Sequence, residues 1–150
     1  MIYKRMLVPL DGSGFGECAL EHMKAIATGC NVPEVDLLFV VEPIPATATT
    51  TYARSVEGQE KLMALGKGYL AKIERSLLKE GVTAKSFVVE GKPAETILDF
   101  AAKNNIDLIV MSTHGRSGPS RWALGSVADK VIRSSTVPVL IAVPKGCRIS

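Results

Sequence analysis

Two short stretches of this chain carry residue types that could do chemistry together. The first is Pro9-Leu10-Asp11, where an apolar run stops on a carboxylate. The second runs from Ile106 to Val127. It starts apolar, breaks into small, polar and glycine-rich residues, and ends at Gly125-Ser126, where an amphipathic segment begins. A buried strand feeding a glycine loop and then a helix N-terminus makes an anion cradle, because the first helical turn presents N–H groups with no intrahelical partner. A carboxylate on a neighbouring strand end suits a ribose hydroxyl. Amides on one side and a carboxylate on the other have the polarity of a nucleotide site.

Several enzyme patterns are absent. Gly91-Lys92 is followed by Pro93 rather than Ser or Thr, so it is no Walker A loop. Gly115-Arg116-Ser117-Gly118-Pro119 fails G-x-S-x-G at its last position, and no His follows Ser117 to complete a triad. Gly12-Ser13-Gly14-Phe15-Gly16 lacks the third-glycine spacing of a dinucleotide fingerprint. His114 is a lone His in a glycine loop and reads as a hydrogen-bonding or exposed residue. Trp122 reads as an anchor for that loop or a contact in a dimer. No general base stands beside a nucleophile.

Composition excludes further classes. Of 150 residues, 47% are hydrophobic, which supports a real core, and 22% are charged, which is ordinary for a globular chain. The net charge of +3 comes with no long Lys/Arg run, and aromatics make up only 5%, so a nucleic-acid surface is not expected. No apolar run approaches the roughly 20 residues of a membrane helix. The apolar run Met6 to Leu10 is too short for a signal peptide, and a cytoplasmic location is expected. Cys18, Cys30 and Cys147 match neither a disulfide framework nor a zinc spacing, and are expected to be reduced thiols.

The elements that must position these residues alternate. Apolar runs at Met6–Leu10, Val35–Val41, Ala84–Glu90, Ile106–Met111 and Val137–Val143 read as strands. Between them, Ala19, Leu20, Met23, Ile26 and Ala27 mark one amphipathic helix, with Ser13 as its N-cap and Gly29 at its end. Leu62, Leu65, Tyr69, Ile73 and Leu77 mark a second, from about Ser55 to Lys79. Pro93 opens a third, with Ala94, Ile97, Leu98 and Ala101 inward. Val127, Val131 and Ile132 share a face of a fourth, for which Ser126 is the expected N-cap. The Pro/Thr/Ala-rich stretch 43–51 reads as a loop, and the place of Thr47 to Thr51 after the second strand could let them cover a pocket. Pro138 argues for an edge position of the fifth strand. The order predicts one α/β domain over 1–150: a single open five-stranded parallel sheet with helices on both faces. Ligands of such sheets bind outside the carboxyl ends of the strands, where the winding reverses.

Pro9-Leu10-Asp11, then Met111-Ser112-Thr113-His114-Gly115, nine residues, and Gly125-Ser126-Val127 together resemble the universal stress protein family. Val131 and Thr136-Val137-Pro138-Val139-Leu140 fit its C-terminal pattern, and the resemblance spans essentially the whole chain. The family's ATP-binding branch carries G-x2-G-x9-G-[S/T]; here Ser112 stands at the first glycine, while Gly115 and Gly125 match the other two. The resemblance implies a Rossmann-like fold of the adenine nucleotide alpha hydrolase type, and a homodimeric stress-response module that binds ATP, with Mg²⁺ on the phosphates. Pro9 and Asp11 would line the adenosine pocket, with Asp11 on the ribose. Val40 would touch the adenine, and Met111, Ser112 and Gly115 would border ribose and phosphates. Gly125, Ser126 and Val127 would present amides to the phosphates, and Arg116 would approach from outside. The dimer would form through strand 137–143. No dedicated catalysis is implied beyond slow ATP hydrolysis. Ser112 favours the alternative, a dimeric interaction protein of the same fold that binds no nucleotide.

Overall fold

The computed structural model describes residues 2–45, 52–113 and 124–144, apart from the side chains of residues 15, 52 and 53. Among the described residues nine elements alternate: β1 (Arg5–Leu10), α1 (Gly14–Gly29), β2 (Glu34–Val41), α2 (Tyr52–Lys79), β3 (Ala84–Glu90), α3 (Pro93–Lys103), β4 (Leu108–Ser112), α4 (Ser126–Ser134) and β5 (Val139–Ala142). All strand pairs are parallel, in the order β3-β2-β1-β4-β5. The winding therefore reverses between β1 and β4, and β5 lies at the sheet margin, as Pro138 implied.

Both faces of the sheet are covered because its central strands are apolar on alternate sides. Met6, Val8 and Leu10 of β1 pack with Ala19 and Met23 of α1 and Leu70, Ile73 and Leu77 of α2. Leu7 points the other way, into a second cluster with Ile97 and Phe100 of α3, Ile109 and Met111 of β4, and Ala128 and Val131 of α4. Helices α1 and α2 thus share one face, and α3 and α4 the other.

Several sequence expectations shift. Ile106 precedes β4, which begins at Leu108 and runs one residue past Met111 to include Ser112. The fifth strand is confined to Val139–Ala142. Leu65 is 69% exposed rather than inward. The inward stripe of α2 passes instead through Gly66, where an added Cβ would lie 2.8 Å from the Phe39 ring. A contact made by a missing side chain leaves no mark in a hydrophobic pattern. Ile132 is also exposed, so α4 is held through Ala128 and Val131. Cys18 is buried and disulfide-bonded, against the expectation of reduced thiols, and Cys30 is free and exposed. Separation along the sequence carries no information on which cysteines meet in space.

At the end of the sheet opposite the strand carboxyl termini, polar side chains tie the strands together. Asp107 Oδ2 accepts the N–H groups of Lys4 at 2.8 Å and Arg5 at 3.0 Å, joining the starts of β1 and β4. Asp36, fully buried on β2, accepts from Arg5 Nε at 2.8 Å. Burial pushes the Asp36 carboxyl above its ordinary value, and the Arg5 guanidinium offsets this only in part. Between the ordinary value of 3.8 and the raised folded value, the folded chain holds this proton more tightly than the unfolded one. This group's contribution to stability therefore falls as pH rises through that window. The prediction is that urea unfolding of wild type relative to Asp36→Asn loses stability as pH is raised from below 3.8. A difference that grows with pH would contradict a raised folded value.

Candidate functional site

The first wall of the site is built where β1 stops. The chain turns through Asp11, Gly12 and Ser13 into α1, and Gly12 takes φ +88°, a region other residues rarely enter. Asp11 Oδ1 accepts from the Ser13 N–H at 2.9 Å and from the Ser13 hydroxyl at 2.6 Å. Ser13 is the N-cap of α1, its Oγ accepting from the Gly16 N–H at 3.1 Å. Asp11 does not cap the helix itself; it braces the residue that does. Tyr69 of α2 packs edge-on against Phe39. Burial raises its phenol pKa far above the ordinary range, and the carboxylates of Glu17 and Asp11 add to this, so it remains a neutral hydroxyl.

The second wall is the start of α4. Thr113 N–H donates to Ala142 O at 3.1 Å, and Gly125 N–H donates back to Thr113 O at 2.8 Å, pinning the helix start to the end of β4. The N-cap of α4 is Gly125, with φ −57° and ψ 149°, and no side chain caps the helix. Ser126 is therefore the first helical residue, not the cap the sequence pattern suggests. The first intrahelical bond runs from Asp129 N–H to Gly125 O at 2.9 Å. The N–H groups of Ser126, Val127 and Ala128 precede it and have no intrahelical acceptor. These three amides form the positive end of the helix dipole.

The third wall comes from β2, which outruns β1. The last β1–β2 pair is Leu10↔Phe39, whereas β2–β3 pairing continues through Val40↔Val89 and Val41↔Glu90. Beyond β2, Ile44 N–H donates to Gln59 Oε1 of α2 at 2.9 Å, holding the segment after the strand against that helix.

Together these walls enclose a cavity of about 520 Å³, within the usual range for small-molecule sites. Pro9, Asp11, Val40, Met111, Ser112, Gly125, Ser126 and Val127, all singled out from the sequence, line it. Gly115 and Arg116, with His114, Arg121, Trp122 and most of the stretch 43–51, lie outside the described residues. The lining combines the apolar Val40, Val41, Ile44, Pro45 and Ile97 with the polar Asp11, Ser112, Thr113 and the start of α4. Asp11 and Glu42 are the ionisable groups among its described lining residues.

Residues 2–143 match the universal stress protein family. This chain belongs to that family. Universal stress protein MJ0531 of Methanocaldococcus jannaschii is 35% identical over 140 residues, covering 93% of this chain and 82% of the relative. MJ0577 of the same organism is 32% identical over 160 residues, covering 97% of this chain and 98% of the relative. Its solved structure superposes with a TM-score of 0.85, over 97% of this chain and 99% of that one. A universal stress protein from Archaeoglobus fulgidus, solved in complex with dAMP, shares the fold at 24% identity, with a TM-score of 0.60 over 94% of this chain and 98% of that one.

Sequence reasoning missed Val41, Ile44, Pro45, Pro93, Ile97, Thr113 and Gly16, all of which line the cavity in this universal stress protein. A signal for some existed. In an all-parallel sheet every strand-to-helix connection lies on one rim, so Pro93 and Ile97, just past β3, belong beside Asp11. Ser112, where the ATP-binding branch carries glycine, is 7% exposed and paired in register with Ala142. It lies in extended strand, where a Cβ imposes no backbone strain. Ser112→Gly is predicted to lower unfolding free energy by about 0.5–1 kcal/mol, through added freedom in the unfolded chain. A gain in urea-unfolding stability would mean that the serine backbone is strained after all.

Proposed function

We propose that this universal stress protein binds an adenine nucleotide, ATP with Mg²⁺, in the cavity between Asp11 and the start of α4. The observation that carries the reading is the uncapped N-terminus of α4, which opens onto the same cavity as the Asp11 carboxylate and the end of β2. Phosphates suit the amides of Ser126, Val127 and Ala128, which have no intrahelical acceptor. A ribose hydroxyl suits Asp11. The base suits the apolar lining. There Gly91 N–H donates to Val41 O at 2.9 Å, so Val41 directs its backbone groups toward β3. By strand alternation Val40 faces β1, and its C=O lies past the last β1–β2 pair, Leu10↔Phe39, toward the space left by the end of β1. An acceptor there suits the adenine N6 amino group.

Among the described residues no cluster of three His, Cys, Asp or Glu could hold a metal ion. This fits a Mg²⁺ that arrives with the phosphates and keeps much of its water, as Mg²⁺ commonly does. When bound, the ion would neutralise phosphate charge near a wall that otherwise offers Asp11. In this reading ATP serves as a bound ligand or a slow substrate, and occupancy is the signal. The dAMP complex of the Archaeoglobus relative supports an adenine nucleotide as the ligand class. No helix among the described residues is long and apolar enough to cross a membrane.

The decisive test uses Gly125→Val. The φ and ψ of Gly125 are open to valine, so the backbone is not strained, and the side chain is expected to block close approach to the first-turn amides. Titration with a fluorescent ATP analogue is expected to show affinity reduced by about 100-fold or more. Unchanged affinity would place the phosphates elsewhere.

The same reading includes a homodimer through β5. Val139 and Ile141 are only partly buried, Val143 is 56% exposed, and the strand is an unpaired margin of the sheet. Pairing with a twofold mate would cover that edge. Light scattering of Ile141→Lys is expected to show a monomer where wild type is a dimer. A variant that keeps the wild-type dimer mass would move the interface away from β5.

A further inference from the structure

We infer that Ser13, which lies behind Asp11 and outside the cavity lining, is the positioning residue that sets the Asp11 carboxylate for the ribose hydroxyls. The inference rests on the nucleotide reading above. Its basis is the direction of each hydrogen bond in the turn. Ser13 Oγ accepts from the Gly16 N–H at 3.1 Å. A hydroxyl has one hydrogen, and with a lone pair committed to Gly16 that hydrogen is directed at Asp11 Oδ1, 2.6 Å away. The Ser13 N–H reaches the same oxygen at 2.9 Å. Two donors on one carboxylate oxygen, one of them as short as charge-assisted O–H···O⁻ bonds become, fix both side-chain torsions of Asp11.

Rotating the carboxylate would break both bonds and strand a donor hydroxyl at the start of α1. Asp11 is thereby held in one setting before ligand arrives, so binding does not have to order it. The relay runs from the α1 amide of Gly16 through Ser13 to Asp11, which lines the cavity. Ser13 also caps α1, and the two roles make different predictions. A cap supports the fold and affects every ligand alike. A positioning residue affects only ligands that present hydroxyls to Asp11.

The experiment measures dissociation constants for Mg²⁺-ATP and Mg²⁺-2′,3′-dideoxy-ATP by calorimetry, and takes their ratio. Wild type is expected to prefer ATP by about tenfold or more, as for a hydrogen bond to a charged group. Ser13→Ala and Ser13→Gly should bring the ratio down toward that of Asp11→Ala. Glycine is itself a tolerated N-cap, so Ser13→Gly removes the hydroxyl while largely sparing the helix. Ser13→Thr keeps the hydroxyl and should keep the preference. If Ser13→Ala and Ser13→Gly weaken both ligands equally and retain the wild-type ratio, Ser13 is a cap and the inference fails. It fails equally if Ser13→Thr loses the preference, or if wild type binds both ligands without distinguishing them. Wild type that binds neither ligand overturns the nucleotide reading beneath it.

Discussion

The site depends on one topological constraint: β1 and β4 are neighbours whose following helices leave on opposite faces of the sheet. The chain after β1 turns toward the face of α1 and α2, and the chain after β4 returns in α4 on the other face. The carboxyl ends of these two strands therefore open into a crevice. A carboxylate at the end of β1 and helical amides after β4 then face one another without any long-range design beyond strand order. The polar ties at the opposite end of the sheet, Asp107 to the Lys4 and Arg5 amides and Asp36 to Arg5, stitch the same central strands together.

Within the crevice, the two helix starts are handled differently. The first turn of α1 is satisfied internally: Ser13 takes the Gly16 amide and Asp11 takes Ser13. The first turn of α4 has no side-chain cap, because Gly125 stands at the cap position. Unmade hydrogen bonds at a helix end cost stability unless water or a ligand supplies acceptors. A cap on α4 would stabilise the chain and compete with an anion for the same amides. Glycine there fits a helix end kept open for a ligand.

Much of this was legible in the sequence, for physical reasons that also mark the limits. Five apolar runs alternating with amphipathic segments dictate a parallel sheet, and Pro138 dictates an edge. Ser13 as a cap and Pro93 as a first helical residue follow from local chemistry and appear as such. The misjudged positions are those where tertiary contacts decide. Leu65 fits the periodicity of α2 yet faces out, since the helix approaches Phe39 through Gly66. Ser126 has the residue type of a cap, but the bond from Gly125 N–H to Thr113 O moves the helix start one residue earlier in role. Ser112 looked like a substitution at a position that needs glycine, until its pairing with Ala142 placed it in ordinary strand. The apolar wall of Ile44, Pro45 and Ile97 comes from the segment after β2 and from α3, and no local pattern links them.

The place of the nucleotide in the crevice can be seen in a crystal structure grown with ATP and Mg²⁺. The account predicts density with the adenine against Val40, the ribose hydroxyls at Asp11, and phosphate oxygens within hydrogen-bond distance of the Ser126, Val127 and Ala128 amides. A nucleotide bound elsewhere, or a crevice holding only solvent at saturating ATP, would contradict it.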